Sequence, residues 1–189
     1  MTNNPNSLLT FPPLETDRLH LRLLADEDID FIFHHFSDPD VCRYLMDEPP
    51  VADLAEAEAI IHSFADPEVN NRVRWAMVRK SDGQVIGTCG FHRWEKDYFH
   101  AELGYDLSAD CWGQGYTTEA LRPVIENGFE RMGLNRIEAF IYIENQGSIR
   151  VAEKLGFKQE GCLRDYFYLD GKFYDHYLYS LLKRDWLQK

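Results

Sequence analysis

Long apolar runs and an excess of basic charge are both missing from this 189-residue chain. No stretch approaches the roughly 20 apolar residues that a bilayer-spanning helix needs, so no membrane segment is expected. Residues 1–13 are polar and broken by proline, without the basic and apolar blocks of a secretory signal. The cysteines, Cys42, Cys89, Cys111 and Cys162, lie far apart and include no C-x-x-C pair. They read as reduced thiols in a cytoplasmic protein rather than as a disulfide frame. Seven histidines form no H-E-x-x-H and no His/Cys cluster at ligand spacing, so no metal is expected. Lys and Arg number 20 against 32 Asp and Glu, a net charge of −12. That argues against binding to a nucleic-acid backbone, which calls for a basic face. It is compatible both with steering a cationic partner such as an amine and with simple solubility.

What is present is a globular composition, 44% hydrophobic and 14% aromatic, with no internal repeat and no interdomain linker. Residues 1–14 read as a flexible extension and residues 15–189 as one domain. Leu19-His20-Leu21-Arg22-Leu23 alternates as a first strand. Asp26 is placed to cap a helix that carries Ile29, Phe31, Ile32, Phe33 and Phe36 and ends at Asp38-Pro39. A second helix is predicted over residues 53–64, after a loop at 44–50. Strands over 73–78 and 85–91 flank Ser81-Asp82-Gly83, a hairpin signal. Further strands are predicted over 99–107 and 136–143, and a last aromatic-rich pair turns at Asp170-Gly171. Two later helices are predicted, one after residue 115 and interrupted by Pro123, one capped by Asn145 and closed by Gly156-Phe157. Pro123 is expected to kink or widen its helix. This order implies a mixed α/β (α+β) chain with a largely antiparallel sheet.

One segment points to chemistry. Two glycines in Cys111-Trp112-Gly113-Gln114-Gly115-Tyr116 let the backbone turn tightly just before an amphipathic helix. Successive amides and the positive end of the helix dipole then share one concavity, which suits a phosphate. An ordinary strand-to-helix turn uses glycine in the same way, so the turn alone leaves both readings open. No Gly-Lys-Ser/Thr follows, and no Lys or metal-binding carboxylates stand beside the glycines, so a nucleotide-phosphate enzyme is disfavoured.

Four segments together resemble the GNAT superfamily of acyl-CoA-dependent N-acetyltransferases, in the branch of the Rim-type ribosomal-protein N-terminal acetyltransferases. They are Glu15-Thr16-Asp17-Arg18-Leu19 with Leu21-Arg22, Ala101-Glu102-Leu103-Gly104-Tyr105, Trp112-Gly113-Gln114-Gly115-Tyr116-Thr117-Thr118-Glu119-Ala120-Leu121, and Asn145-x-x-Ser148 with Glu153-Lys154-Leu155-Gly156-Phe157. The resemblance implies a twisted sheet of six to seven strands with helices on both faces, splayed between its fourth and fifth strands. It implies an acyltransferase that moves an acetyl group from acetyl-CoA to a primary amine, either a small molecule or a protein N-terminus. The pantetheine arm is expected to pair with strand backbone at Tyr105, Asp106 and Leu107, in effect a partial strand addition. The diphosphate is expected at Trp112, Gly113, Gln114, Gly115, Tyr116, Thr117 and Thr118.

The same resemblance assigns Glu102 as the base that deprotonates the amine; a rim carboxylate that merely attracts a cation is the bland alternative. A backbone N–H near residues 103–105 is expected to serve the oxyanion. Asn145 is expected at the pantetheine amides. Lys154 stands either at the 3′-phosphate or on a solvated face. Many relatives carry a tyrosine where Ala152 stands here, so that proton donor for the leaving thiolate is missing. Ser148, one turn earlier, is the substitute candidate at the sulfur; otherwise it is a first-turn helix residue. Thr117 brings a side chain where glycine or alanine is frequent. Trp94 and Tyr98 are expected to meet the acceptor, or a second copy in a homodimer. The rival from another class is a non-catalytic acyl-CoA-binding module.

Overall fold

Alternating apolar residues build one sheet, and the order of its strands decides where a ligand can enter. In the computed structural model, residues 11–45 and 49–188 are described. The expected flexibility of residues 1–10, and residues 46–48 of the expected loop, lie outside them. The elements are β1 (Leu14–Glu15), β2 (Leu19–Leu23), α1 (Ile29–Ser37), α2 (Pro39–Cys42), α3 (Leu54–Ser63), α4 (Pro67–Asn70), β3 (Val73–Arg79), β4 (Val85–Glu95), β5 (His100–Leu107), α5 (Tyr116–Glu130), β6 (Arg136–Tyr142), α6 (Gln146–Lys154), β7 (Lys158–Leu169), β8 (Lys172–Leu182) and α7 (Lys183–Trp186).

The sheet has eight strands in the order β1-β2-β3-β4-β5-β6-β8-β7. The short edge strand β1, paired with β2, lies within the segment expected to be a flexible extension. Phe11 corrects that boundary further: it is fully buried and meets Trp75 and Trp94 edge-on at 6.2 and 5.9 Å. Packing therefore begins by residue 11.

Every neighbouring pair is antiparallel except β5 and β6. Those two run parallel and hold register only at His100–Arg136, Ala101–Ile137 and Glu102–Glu138. Beyond Glu102 they part. The splay expected between the fourth and fifth of six to seven strands falls here between the fifth and sixth of eight, the short edge strand β1 adding one to the count, and it starts at the residue assigned as base.

The main core lies under α5 and α6, with Trp75, Phe91, Leu121, Ile125 and Phe129 essentially closed to solvent. A smaller cluster of Ile32, Val51, Ala57 and Ile61 joins α1 to α3. Burial of large side chains at this density supplies most of the folding free energy. α5 continues through Pro123 without a break.

Local chemistry departs from expectation at the first helix. Asp26 does not cap it: residues Asp26–Asp28 form a 3-10 turn. Asp28 instead accepts from Arg22 at 2.7 and 2.8 Å and from the Ala25 amide at 3.0 Å. A carboxylate with a guanidinium in reach outcompetes its role as a cap. Asp38 ends α1 and starts α2 by accepting from the Asp40 amide.

Candidate active site

Strand alternation tells which backbone groups face the opening. The Ser108 amide donates to the Ile86 carbonyl at 2.8 Å, so even-numbered residues of β5 bond toward β4. Odd-numbered ones therefore turn N–H and C=O toward β6. Likewise Lys183 donates to Asn135 at 3.0 Å, which commits the odd residues of β6 to β8 and leaves its even ones facing β5. The gap is thus edged by the main chain of Leu103, Tyr105 and Leu107 on one side and of Phe140 and Tyr142 on the other. This narrows the strand-addition site: the Asp106 main chain points the wrong way. The Leu107 carbonyl is also taken, by the Trp112 indole N–H at 2.7 Å.

At the far end of β5 the glycine turn has the shape its sequence implies. Gly113 and Gly115 sit at φ 74° and 83°, the left-handed region that disfavours any side chain. Among the described residues, no backbone amide of residues 113–118 donates to a protein acceptor. Gly113, Gln114 and Gly115 are exposed, Thr117 and Thr118 half-buried, and Tyr116 buried. That is a run of unspent donors at the N-terminus of the 15-residue helix α5.

Sequence reasoning missed what fixes this turn. Glu119, in the first turn of α5, accepts from the Thr16 hydroxyl at 2.6 Å, the Arg18 amide at 2.9 Å and the Arg18 Nε at 2.6 Å. Arg18 in turn donates to the Gln114 carbonyl at 3.0 Å and stacks over Tyr116 at 4.3 Å. Burial pushes the Glu119 carboxyl up, but these donors hold it below its ordinary value. Two segments a hundred residues apart, recognised separately in the sequence, are one clamp. The signal was there in Thr16 and Arg18, whose polar types sit beside a strand.

A cavity of about 600 Å³ opens along the gap, with Glu102, Tyr105, Asn145 and Ser148 in its wall. Glu102 is 19% exposed and 3.3 Å from the Arg93 guanidinium. Asn145 caps α6 through its Oδ1, which accepts from the Ser148 amide at 3.0 Å. The Tyr105 hydroxyl donates to the Ser148 carbonyl at 3.2 Å, bridging the two sides of the opening. Burial pushes that phenol up to about 12. Ala152 is buried in the core, so α6 offers no tyrosine hydroxyl there.

The remaining site residues lie as follows. The Asp106 side chain is buried and spent: it accepts from Arg74, from His35 at 2.8 Å, and from the Thr88 hydroxyl and amide at 2.7 and 2.9 Å. Burial raises its pKa, and Arg74, His35 and Thr88 together pull it well below the carboxylate range. Trp94 belongs to β4, not to a loop, and is 7% exposed against Phe11. The strand outlasts its apolar alternation by one β-bulge, which turns this ring into the core. Tyr98 is 75% exposed, stacks on His100, and is absent from the cavity wall. Lys154 is exposed and also outside that wall.

His92, unremarked in the sequence, also lines the cavity. Burial first, then the Arg74, Arg72 and Arg93 charges, push its imidazole down to about 3. It is therefore neutral and faces the Arg74 Nη1 at 2.7 Å. A base that weak cannot compete with a carboxylate for a proton near neutral pH.

Comparison with known proteins agrees with this geometry. The family described as "Acetyltransferase (GNAT) domain" matches residues 18–158. N-acetyltransferase p20 of Bacillus licheniformis is 40% identical over 174 residues, which is 92% of this chain and 97% of that protein. The [ribosomal protein uS5]-alanine N-acetyltransferase of Escherichia coli is 28% identical over 182 residues, 92% of each chain. The solved spermidine N-acetyltransferase of Vibrio cholerae, in complex with CoA and spermine, superposes with a TM-score of 0.81 at 21% identity, covering 91% of this chain and 99% of that one. At that identity the likeness speaks for the fold.

Proposed function

The chain belongs to the GNAT acetyltransferase family, and we propose that it moves the acetyl group of acetyl-CoA to a primary amine by direct attack in a ternary complex. The observation that carries this reading is the gap that opens at Glu102 and runs to a turn whose amides are unspent. The residues fit the donor at both ends. The amides of residues 113–118 suit its diphosphate, and the unpaired strand edges at Tyr105 and Phe140 suit its amide-bearing arm.

Glu102 takes a proton from the ammonium, directly or through water, so that the nitrogen lone pair can attack the acyl carbon. The Leu103 and Tyr105 amides face the gap and donate to the acyl oxygen as charge gathers there. As the C–N bond forms and the C–S bond breaks, the nitrogen gives up its second proton and the departing thiolate takes up one, so the proton held on Glu102 is the one released to solvent. Ser148, half-buried in the cavity wall, is the nearest hydroxyl on α6 to serve the thiolate. The acceptor is a small amine or a protein N-terminus.

The test is thiol release from acetyl-CoA with pooled amines, in the wild type and in Glu102→Gln. Turnover whose pH profile loses an ionisation in the variant supports the assignment. Binding of CoA without turnover across the panel overturns it in favour of a non-catalytic acyl-CoA-binding module. An unchanged pH profile removes Glu102 as the base.

A further inference from the structure

Among the described residues, the charged lining of the acceptor side is not predominantly acidic, although the chain as a whole is. That lining consists of Arg72, Arg74 and Arg93 against Glu102 and Asp106. Arg74 and Asp106 neutralise each other in the buried network. Arg93 reaches Glu102 and the Tyr166 hydroxyl, both at 3.3 Å.

Arg72 is different. It is half-buried in the wall, donates to the Ser63 hydroxyl at 3.4 Å and lies 5.5 Å over the Phe64 ring. Among the described residues no carboxylate pairs with it. A half-buried guanidinium held only by a hydroxyl and a ring face keeps most of its fork of donors for a ligand. Arg72 and Arg93 also stand near enough to His92 for their charges, after burial and Arg74, to help keep its imidazole neutral. His92 in turn packs edge-on against Phe64 at 5.6 Å, so ring, imidazole and guanidinium form one wall.

We propose that the acceptor carries a carboxylate close to its amine, and that Arg72 binds this carboxylate, with Arg93 at the rim, while the amine faces Glu102. This rests on the acetyl-transfer reading of the cavity and names its substrate class: amino acids, or peptides whose acidic group lies beside the N-terminus. A polyamine, cationic along its length, meets a guanidinium here where it needs a second carboxylate.

The experiment compares matched acceptors that differ only in that group. Phenylalanine is set against 2-phenylethylamine, the C-terminally amidated peptide Ala-Glu against amidated Ala-Gln, with spermidine as the polyamine. A kcat/KM at least about tenfold higher for the carboxylate-bearing member, carried mainly by KM, is expected from one charge-assisted, partly desolvated pair. Whichever pair shows it tells a free amino acid from a peptide. In Arg72→Gln that ratio collapses toward one, and Arg72→Lys keeps part of it. Equal turnover of matched members, or a preference for spermidine, overturns the proposal.

Binding separates this failure from that of the function itself. If no amine is acetylated, the transfer reading falls. Calorimetry on the CoA-loaded protein still decides the present point. N-acetylphenylalanine is expected to bind at least about tenfold tighter than N-acetyl-2-phenylethylamine, and equal affinities overturn it.

Discussion

Placing one methyl group on Gly113 tests the diphosphate cradle without touching anything else. A Cβ built there has nothing within 4 Å, so Gly113→Ala introduces no clash. What it introduces is backbone strain, because φ is 74° and a left-handed alanine costs about 1–2 kcal/mol. That cost has two outlets. If the turn keeps its shape in the free protein, the loss appears as lower stability. If the turn relaxes, its amides swing away and binding must restore them. The competent fraction then falls, and the apparent Kd for CoA rises by roughly 5- to 30-fold. Unfolding in urea measures the first outlet and calorimetry with CoA the second; together they are expected to total about 1–2 kcal/mol. The decisive control is pantetheine, which carries the arm of CoA but no diphosphate. Its affinity is expected to stay unchanged, since the proposed binding mode lays the arm along β5 and only the diphosphate on the turn. Equal weakening of CoA and pantetheine, or no effect on either binding or stability, refutes the cradle.

Further expectations test the surrounding frame. Glu119→Ala removes the acceptor shared by Thr16 and Arg18; a loss of about 1–3 kcal/mol in urea unfolding is expected, together with weaker CoA binding, and a stable variant with full affinity refutes the clamp. His92 titrates near 3 in the fold against an ordinary 6.5. The unfolded chain therefore gains a proton below pH 6.5 that the folded one refuses, so stability falls with pH from there down to about 3. Between pH 7 and pH 5 this amounts to roughly 2 kcal/mol, and His92→Gln is expected to flatten the slope of ΔG against pH by that amount. Trp94→Ala is expected to cost about 3–5 kcal/mol with acceptor KM unchanged, whereas Tyr98→Ala stays within about 0.5 kcal/mol. Differential scanning fluorimetry with steady-state kinetics distinguishes both from acceptor contacts.

Much of this architecture is legible in local patterns. Alternation marks β2 and β5, Asn145 caps α6 as its residue type implies, and Gly113 and Gly115 adopt the conformation that only glycine takes cheaply. What stayed hidden depends on contacts between distant segments. Trp94 reads as a loop residue because apolar alternation fades before it, and its burial depends on Phe11, far up the chain. Asp106 reads as one of three strand residues meeting the pantetheine arm, and nothing local reports that Arg74, His35 and Thr88 converge on its side chain. Arg72 carries no motif at all. Its significance comes from the lack of a carboxylate partner among the described residues, and no local pattern reports that.

A sheet that opens at Glu102 forfeits ladder bonds along the rest of β5, so something else must hold that strand in place. The even-numbered side supplies it. Asp106 ties β5 to Thr88 on β4, to Arg74 on β3 and to His35 on α1, all in surroundings closed to water. A buried charge gains from such a set only when its partners are all present, and here donors meet both carboxylate oxygens. Across the gap, the Tyr105 hydroxyl braces β5 against α6 and the Trp112 indole takes up the Leu107 carbonyl. The opening is thus pinned from both flanks while the Leu103 and Tyr105 amides remain turned into it. That geometry suits the proposed transfer chemistry, because donors already turned into the gap would need no reorganisation if charge develops on an acyl oxygen there. It also explains why the buried carboxylate lies at residue 106 and the accessible one at residue 102, two turns of the same alternation with opposite duties.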